Sequence, residues 1–233
     1  MCYTDLENTI AKYCLKTGTN IGDLTSTEYM DGIVLPKLSE AMMKMMWRFT
    51  WFGDKSAASV TGGGQITDGV NIELFKTCDG FFKRLFAICT NNTGQHTEIA
   101  ANAEESYALQ KSKMKETGIA TSIFDAMLQD ADSRIFQKDG CAIFATKSMC
   151  DALTHDMKEK YKVIMPWEVV FDGVEVSKYD GTTIVKCSIW DRFIQAYQNN
   201  KTKLNLPHRA VLCSPENLSL IHISEPTRRR GIS

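Results

Sequence analysis

The chain has no Cys-x-x-Cys pair, no internal repeat, no low-complexity tract and no apolar run long enough to cross a bilayer. Each absence removes a class of protein. The eight cysteines stand apart, several inside apolar runs such as Cys141-Ala142-Ile143-Phe144. They read as reduced, buried side chains of a cytosolic product. No signal peptide is visible, so the expectation is a soluble protein made in a reducing compartment. Neither sign of charge dominates, with 27 basic against 28 acidic residues. An apolar fraction of 43% with 24% charged residues excludes disorder. A length of 233 residues suits one large domain or two small ones.

An assembled chemical constellation is also missing. Gly62-Gly63-Gly64 lacks the Lys-Ser/Thr of a phosphate-binding loop and reads as a plain loop. Asp130 and Asp132 form an acidic pair, but residues two apart on a helix point to different faces, so a solvated helix end is expected. Asp151 and His155 are spaced to share a ligand, yet no third ligand is near in sequence. Cys150 stands close to His155, but a nucleophile and its base normally meet across a fold. Cys150 therefore reads as a structural thiol and His208 as a structural histidine. No catalytic, cofactor-binding or metal site is assigned.

What is present is a sequence of well-punctuated elements. Asp5–Leu15 is amphipathic and stops at Thr17-Gly18. Thr25-Ser26-Thr27-Glu28 is a capping box. It opens a long helix with Met30, Val34, Leu38, Met42, Met45, Phe49 and Phe52 on one stripe, where Pro36 predicts a kink or a late true start. Core packing explains three of Met42, Met43, Met45 and Met46, with Met43 spilling to another side and free for an interface. Lys55–Gly69 is loop, Asn71–Ala87 has no clear assignment, and Asn91–Gly94 is a turn. Glu98–Glu116 and Ile119–Phe136 predict two helices parted by Thr117-Gly118. Cys141–Ala145 predicts a buried strand and Ser148–Tyr161 a helix with Met149, Leu153 and Met157 inward. Glu168–Phe171, Val174–Tyr179 and Thr182–Cys187 predict strands joined at Asp172-Gly173 and Asp180-Gly181, and Arg209–Cys213 is a last strand. The fold class is α+β, a long helix followed by a mixed sheet flanked by helices.

The segment Leu218–Arg228, LSLIHISEPTR, resembles the translation of a transposon-type sequencing adapter. On that reading residues 218–233 are not native and are set aside. Removing their three arginines and one glutamate leaves 24 basic and 27 acidic residues, or −3. The only basic run, Arg228-Arg229-Arg230, goes with them.

Upstream, the long helix Thr27–Phe52 followed by Trp51-Phe52-Gly53-Asp54 and a glycine-bearing loop resembles the spine helix of the major capsid protein of tailed bacteriophages, the Hong-Kong-97-like fold. The order Ile119–Phe136, Ala142–Thr146, Ser148–Tyr161 resembles that family's axial-domain core. Val174–Lys186 followed by Ile189-Trp190-Asp191, and the block Asn199–Leu212, are similar to passages of such proteins. The resemblance implies a peripheral-domain part over residues 1–60, including the spine helix, and a mixed-sheet axial-domain core over 61–217, with both ends truncated. It implies a structural subunit, not an enzyme, that assembles as hexamers and pentamers into an icosahedral virion shell. The shell would enclose double-stranded DNA without sequence-specific binding, with scaffolding and portal proteins as partners and no membrane. Synthesis would be in the bacterial host cytoplasm. The other reading is a cytosolic α+β enzyme or binding domain using Cys150 and His155.

Overall fold

The computed structural model describes residues 3–57, 66–67, 69–91, 94, 96–171 and 174–214. The chain divides into two compact units, Met1–Arg48 and Phe49–Ser233. Gly62-Gly63-Gly64, the Asp172-Gly173 turn, the centre of the Asn91–Gly94 turn and the whole Leu218–Arg228 segment lie outside the described residues.

The first unit is helical. Helix α1 (Tyr3–Thr17) ends where Gly18 donates its N–H back to the Cys14 carbonyl at 2.8 Å. Helix α2 (Ser26–Tyr29) begins with the expected capping box. The Thr25 hydroxyl accepts from the Glu28 N–H, and the Glu28 carboxylate accepts from the Thr25 N–H at 3.0 Å. A π turn follows over Met30–Val34, and the regular helix α3 (Leu35–Phe52) starts only at Leu35, whose N–H donates to Met30. Pro36 explains this late start, because it has no N–H to donate and its ring crowds the carbonyl four residues back. The wider turn places the irregularity just before it.

The methionine stripe is a correction. Met42, Met43, Met45 and Met46 are all 43–52% exposed rather than packed in a core. Between Thr9 and Arg48, only Cys14 and Ile33 are buried hydrophobics. Helical periodicity gave α3 its apolar side, but periodicity carries no information about whether anything covers that side.

In the second unit a five-stranded mixed sheet runs β2-β3-β4-β1-β5. Its strands are β1 (Ala142–Thr146), β2 (Glu168–Phe171), β3 (Val174–Tyr179), β4 (Thr182–Cys187) and β5 (Ala210–Cys213). Strands β1 and β4 pair in parallel, Ala142 opposite Thr183, and the other neighbours are antiparallel. Asp180 and Gly181 both take positive φ, +45° and +76°, forming the turn that joins β3 to β4. That two-residue geometry matches the twist of the flanking strands.

Helices α4 (Phe81–Asn91), α5 (Tyr107–Met114), α6 (Ile119–Gln129), α7 (Ser133–Phe136), α8 (Lys147–Tyr161) and α9 (Ser188–Tyr197) surround the sheet. Ile143, Ala145 and Ile184 pack with Ala120 and Phe124 of α6 and with Met149, Cys150 and Leu153 of α8. Phe144 alternates to the opposite face, where its ring lies 6.1 Å from Trp51. There Trp51, Phe82 and Trp190 form an aromatic cluster, Trp51 to Trp190 at 4.4 Å and Phe82 to Trp190 at 4.9 Å. Gly53 and Gly80 let α4 start against the end of α3. A Cβ on Gly53 would stand 2.5 Å from the Cys78 carbonyl oxygen, and one on Gly80 2.8 Å from the Gly53 nitrogen.

The chain is thus mixed α+β with one mixed sheet. Three boundaries differ from the sequence expectation. Glu98–Glu116 is helical only over Tyr107–Met114, where Ser106 caps the start, and Ala100–Ala103 is a 3₁₀ turn. Ile119–Phe136 is two helices, because Asp132 caps α7 and ends any continuation of α6. Asn71–Ala87 contains a 3₁₀ turn at Ile72–Leu74 and most of α4. Helix α9 was not anticipated at all.

Candidate functional site

The polar chemistry of the second unit is concentrated where helices meet the sheet. Helix α8 follows β1 directly, and its N-cap Thr146 makes no capping hydrogen bond with its side chain. The cap comes from α9 instead. The Asp191 carboxylate accepts from the Lys147 N–H at 2.6 Å and the Ser148 N–H at 3.2 Å. Burial raises the Asp191 carboxyl to about 6, against the lowering effect of those two N–H donors. Helix α6 is built the same way. Its N-cap is Gly118, with no side chain, and Asp156 of α8 accepts from the Gly118 N–H at 2.9 Å and the Thr121 N–H at 3.0 Å. Each of these helix starts is held by an aspartate from another helix.

A second network ties α5 to the loop before β5. The Gln110 side chain is fully buried, donating to the Asn102 and Leu204 carbonyls and accepting from the Leu204 N–H. His208 lies between the Ser148 hydroxyl at 2.9 Å and the Gln110 carbonyl at 3.1 Å. Its burial lowers its pKa below the ordinary histidine value.

Beside it Arg209 is 5% exposed and donates to the Leu206 and Asn205 carbonyls and to Gln198. Its guanidinium stacks over Phe82 at 4.6 Å and Phe86 at 5.4 Å. Burial lowers its pKa to about 9, with the Asp191 charge opposing. Nη1 has no partner among the described residues. A cavity of about 360 Å³ adjoins this region, lined by Trp51, Phe52, Gly53, Asp54, Ser56, Ala57, Ile66, Phe82, Lys83, Phe86, Gln198, Asn205 and Leu206. Its charged edge is closed on itself, since Lys83 bonds both Asp54 and Asp79.

The sequence candidates are distributed differently. Cys150 is fully buried in the core, and burial pushes its thiol well above the ordinary value, which makes it a poor nucleophile. His155 is exposed on α8. The two stand five positions apart on that helix, about 140° round its axis, so they face different sides and form no pair. The alternative site at Cys150 and His155 is therefore not assembled. Asp151 and His155 do line one shallow hollow of about 440 Å³, together with Thr154, Lys158, Glu159, Trp167 and Lys186. Asp151 there is engaged by Lys147 and, at 3.9 Å, by Lys186. Lys186 is almost buried, paired with Glu175 across the β3–β4 ladder and held 4.4 Å over the Trp167 ring.

Asp132 caps α7 and pairs with Arg134, a helix-end role, while Asp130 lies at the C-cap of α6. Among the described residues no group of three or more His, Cys, Asp or Glu side chains could hold a metal ion, and no helix is long and apolar enough to cross a membrane. Sequence reasoning missed Asp156, Asp191 and Arg209. The only local signal was the absence of a capping side chain at Gly118. No family model matches the chain, and neither a curated protein nor a solved structure does.

Proposed function

We propose that the chain is a structural subunit of a tailed-phage icosahedral capsid with a Hong-Kong-97-like fold. Many copies would enclose packaged double-stranded DNA, with scaffolding and portal proteins assisting assembly. In this reading α3 is part of the spine helix of a peripheral domain, and the sheet with α6 and α8 is the axial-domain core. The order long helix, helix, strand, helix, hairpin supports it, as does the resemblance over most of residues 2–217. The observation that carries it is a long helix with its apolar side exposed, Leu38, Met42 and Met45 among the exposed residues. Shell assembly needs such self-complementary surface rather than a pocket. The buried Asp156, Asp191 and Gln110 side chains hold helices to one another and to the loop before β5. A net charge near −3 without residues 218–233 suits a shell that encloses DNA without reading its sequence.

Bacterial expression of the chain repaired at both ends, followed by light scattering and negative-stain electron microscopy, tests the reading. Large closed particles are expected. Tubes or rings would make the chain a tail or baseplate component. A monodisperse monomer or dimer that loses a measurable activity on Cys150→Ser or His155→Ala would overturn the proposal.

A further inference from the structure

Helix α3 carries a second pattern within its stripe. Leu35, Leu38, Met42, Met45, Phe49 and Phe52 follow one another at spacings of three, four, three, four and three. That alternation is the 3.5-residue period of a helix-on-helix seam rather than the wider apolar face that packs on a sheet. The last two positions enter the second unit, where Phe52 is buried. The first four do not. Leu35, Leu38, Met42 and Met45 are 48%, 51%, 52% and 45% exposed.

The rest of the helix surface fits the same use. At about 100° per residue, Leu35, Leu38, Met42, Met45 and Met46 fall within an arc of roughly 100°, with Met43 about 60° beyond its edge. On the other side Lys37, Glu40 and Lys44 neutralise one another, Glu40 lying 3.7 Å from Lys37 and 2.6 Å from Lys44. Ser39 and Ala41, beside the seam, are too small to keep a second helix away. Leu35, Leu38, Met42, Met45 and Met46 with the flanking Met43 expose roughly 500 Å² per copy, so a symmetric pair covering all of it would bury about 1,000 Å², the lower bound for a specific interface.

We infer that this face of α3 pairs with the same face of α3 in a second copy of the chain. The inference rests on the shell reading and adds to it the surface and the packing mode of one self-contact. Unbranched, adaptable methionines at the seam would let that contact accept slightly different helix crossings, which a closed shell of identical subunits requires.

The test uses the full chain and the variant Met42→Glu/Met45→Glu. Both side chains are half-exposed, so the charges enter water in the unpaired subunit. Sedimentation velocity over a range of concentrations should show self-association of the wild type, weakened by at least roughly tenfold in the variant. Peroxide oxidation followed by mass spectrometry gives a readout that needs no variant. Met42 and Met45 should become protected as concentration rises, while Met30, 47% exposed and outside the seam, should not. Particles that form equally well with the double variant, and with Met42 and Met45 unprotected, would overturn the pairing and leave the shell reading intact. Pairing through α3 without closed particles would support the inference and overturn the shell reading. A wild-type monomer at every concentration, with Met42 and Met45 freely oxidised, would overturn the inference and the self-assembly it rests on.

Discussion

The helices up to Arg48 and the α+β unit after it are stabilised by different physics. From Thr9 to Arg48 the first buries Cys14 and Ile33, sets the Tyr13 ring against Gly32, and carries local devices in the Thr25 cap and the ion pairs of Glu40. The second buries Phe124, Ile143, Met149, Leu153, Ile184 and Trp190 completely and joins helices far apart in sequence through aspartates. The comparison teaches that a clean periodic pattern and a buried core are separate properties. The first unit has the pattern with little core of its own, so what its apolar face meets is decided elsewhere.

Substitutions should expose that contrast, beginning in the second unit. Trp190→Ala removes a fully buried indole between Trp51 and Phe82 and is expected to cost about 3–5 kcal/mol. Met42→Ala, by contrast, should stay within about 0.5 kcal/mol in the monomer. Urea unfolding monitored by far-UV circular dichroism distinguishes the two, and equal losses would erase the distinction between the units.

Asp191 gives a pH dependence next in size. Its folded pKa of about 6 exceeds its ordinary value of 3.8, so its burial penalty is absent below pH 4, where it is protonated folded and unfolded alike. The penalty grows from about pH 4, as the unfolded state ionises, and levels off above about pH 6 at roughly 3 kcal/mol. Relative to Asp191→Asn, the wild type should therefore lose stability between pH 4 and pH 7. Parallel melting-temperature profiles for the two proteins would refute the assignment. The groups setting that shift in opposition to burial are the Lys147, Ser148 and Asp191 N–H donors and the Lys147 charge.

Asp156→Ala should cost about 2 kcal/mol, because the Gly118 and Thr121 N–H groups lose their acceptor at the start of α6. Hydrogen exchange should quicken first at the N-terminal turn of that helix. The smallest effect is expected in the first unit. Thr25→Ala should cost about 1 kcal/mol, read as fraying of α2 by the same method. A Thr25 effect larger than that of Asp156 would mean that local capping, not tertiary capping, dominates this chain.

The legibility of the fold follows the same division. The capping box, the buried strand at β1 and the three strands β2, β3 and β4 could be read because their signals lie within a few residues of one another. Helix α9 could not, since Ser188–Tyr197 follows β4 without any intervening turn signal. The break at Asp132 was hidden for a related reason. An aspartate inside an apolar period looks like a solvated position until its side chain is seen to accept from Arg134. At the candidate sites, the sequence marked Cys150 and His208 as structural residues and the structure places both in buried surroundings. It also marked Asp151 and His155 as neighbours, and they share a hollow in which Asp151 is already bound by lysines.

By itself the sequence determined the α+β class, most strand positions, the late start of α3 and the burial of most of the described cysteines, because these depend on periodicity, turn chemistry and backbone sterics. Only the tertiary structure decided which aspartates cap which helices, why Arg209 lies buried against phenylalanines, and that the methionines of α3 face outward. Those outcomes depend on residues distant in sequence meeting, or failing to meet, and no local pattern encodes that.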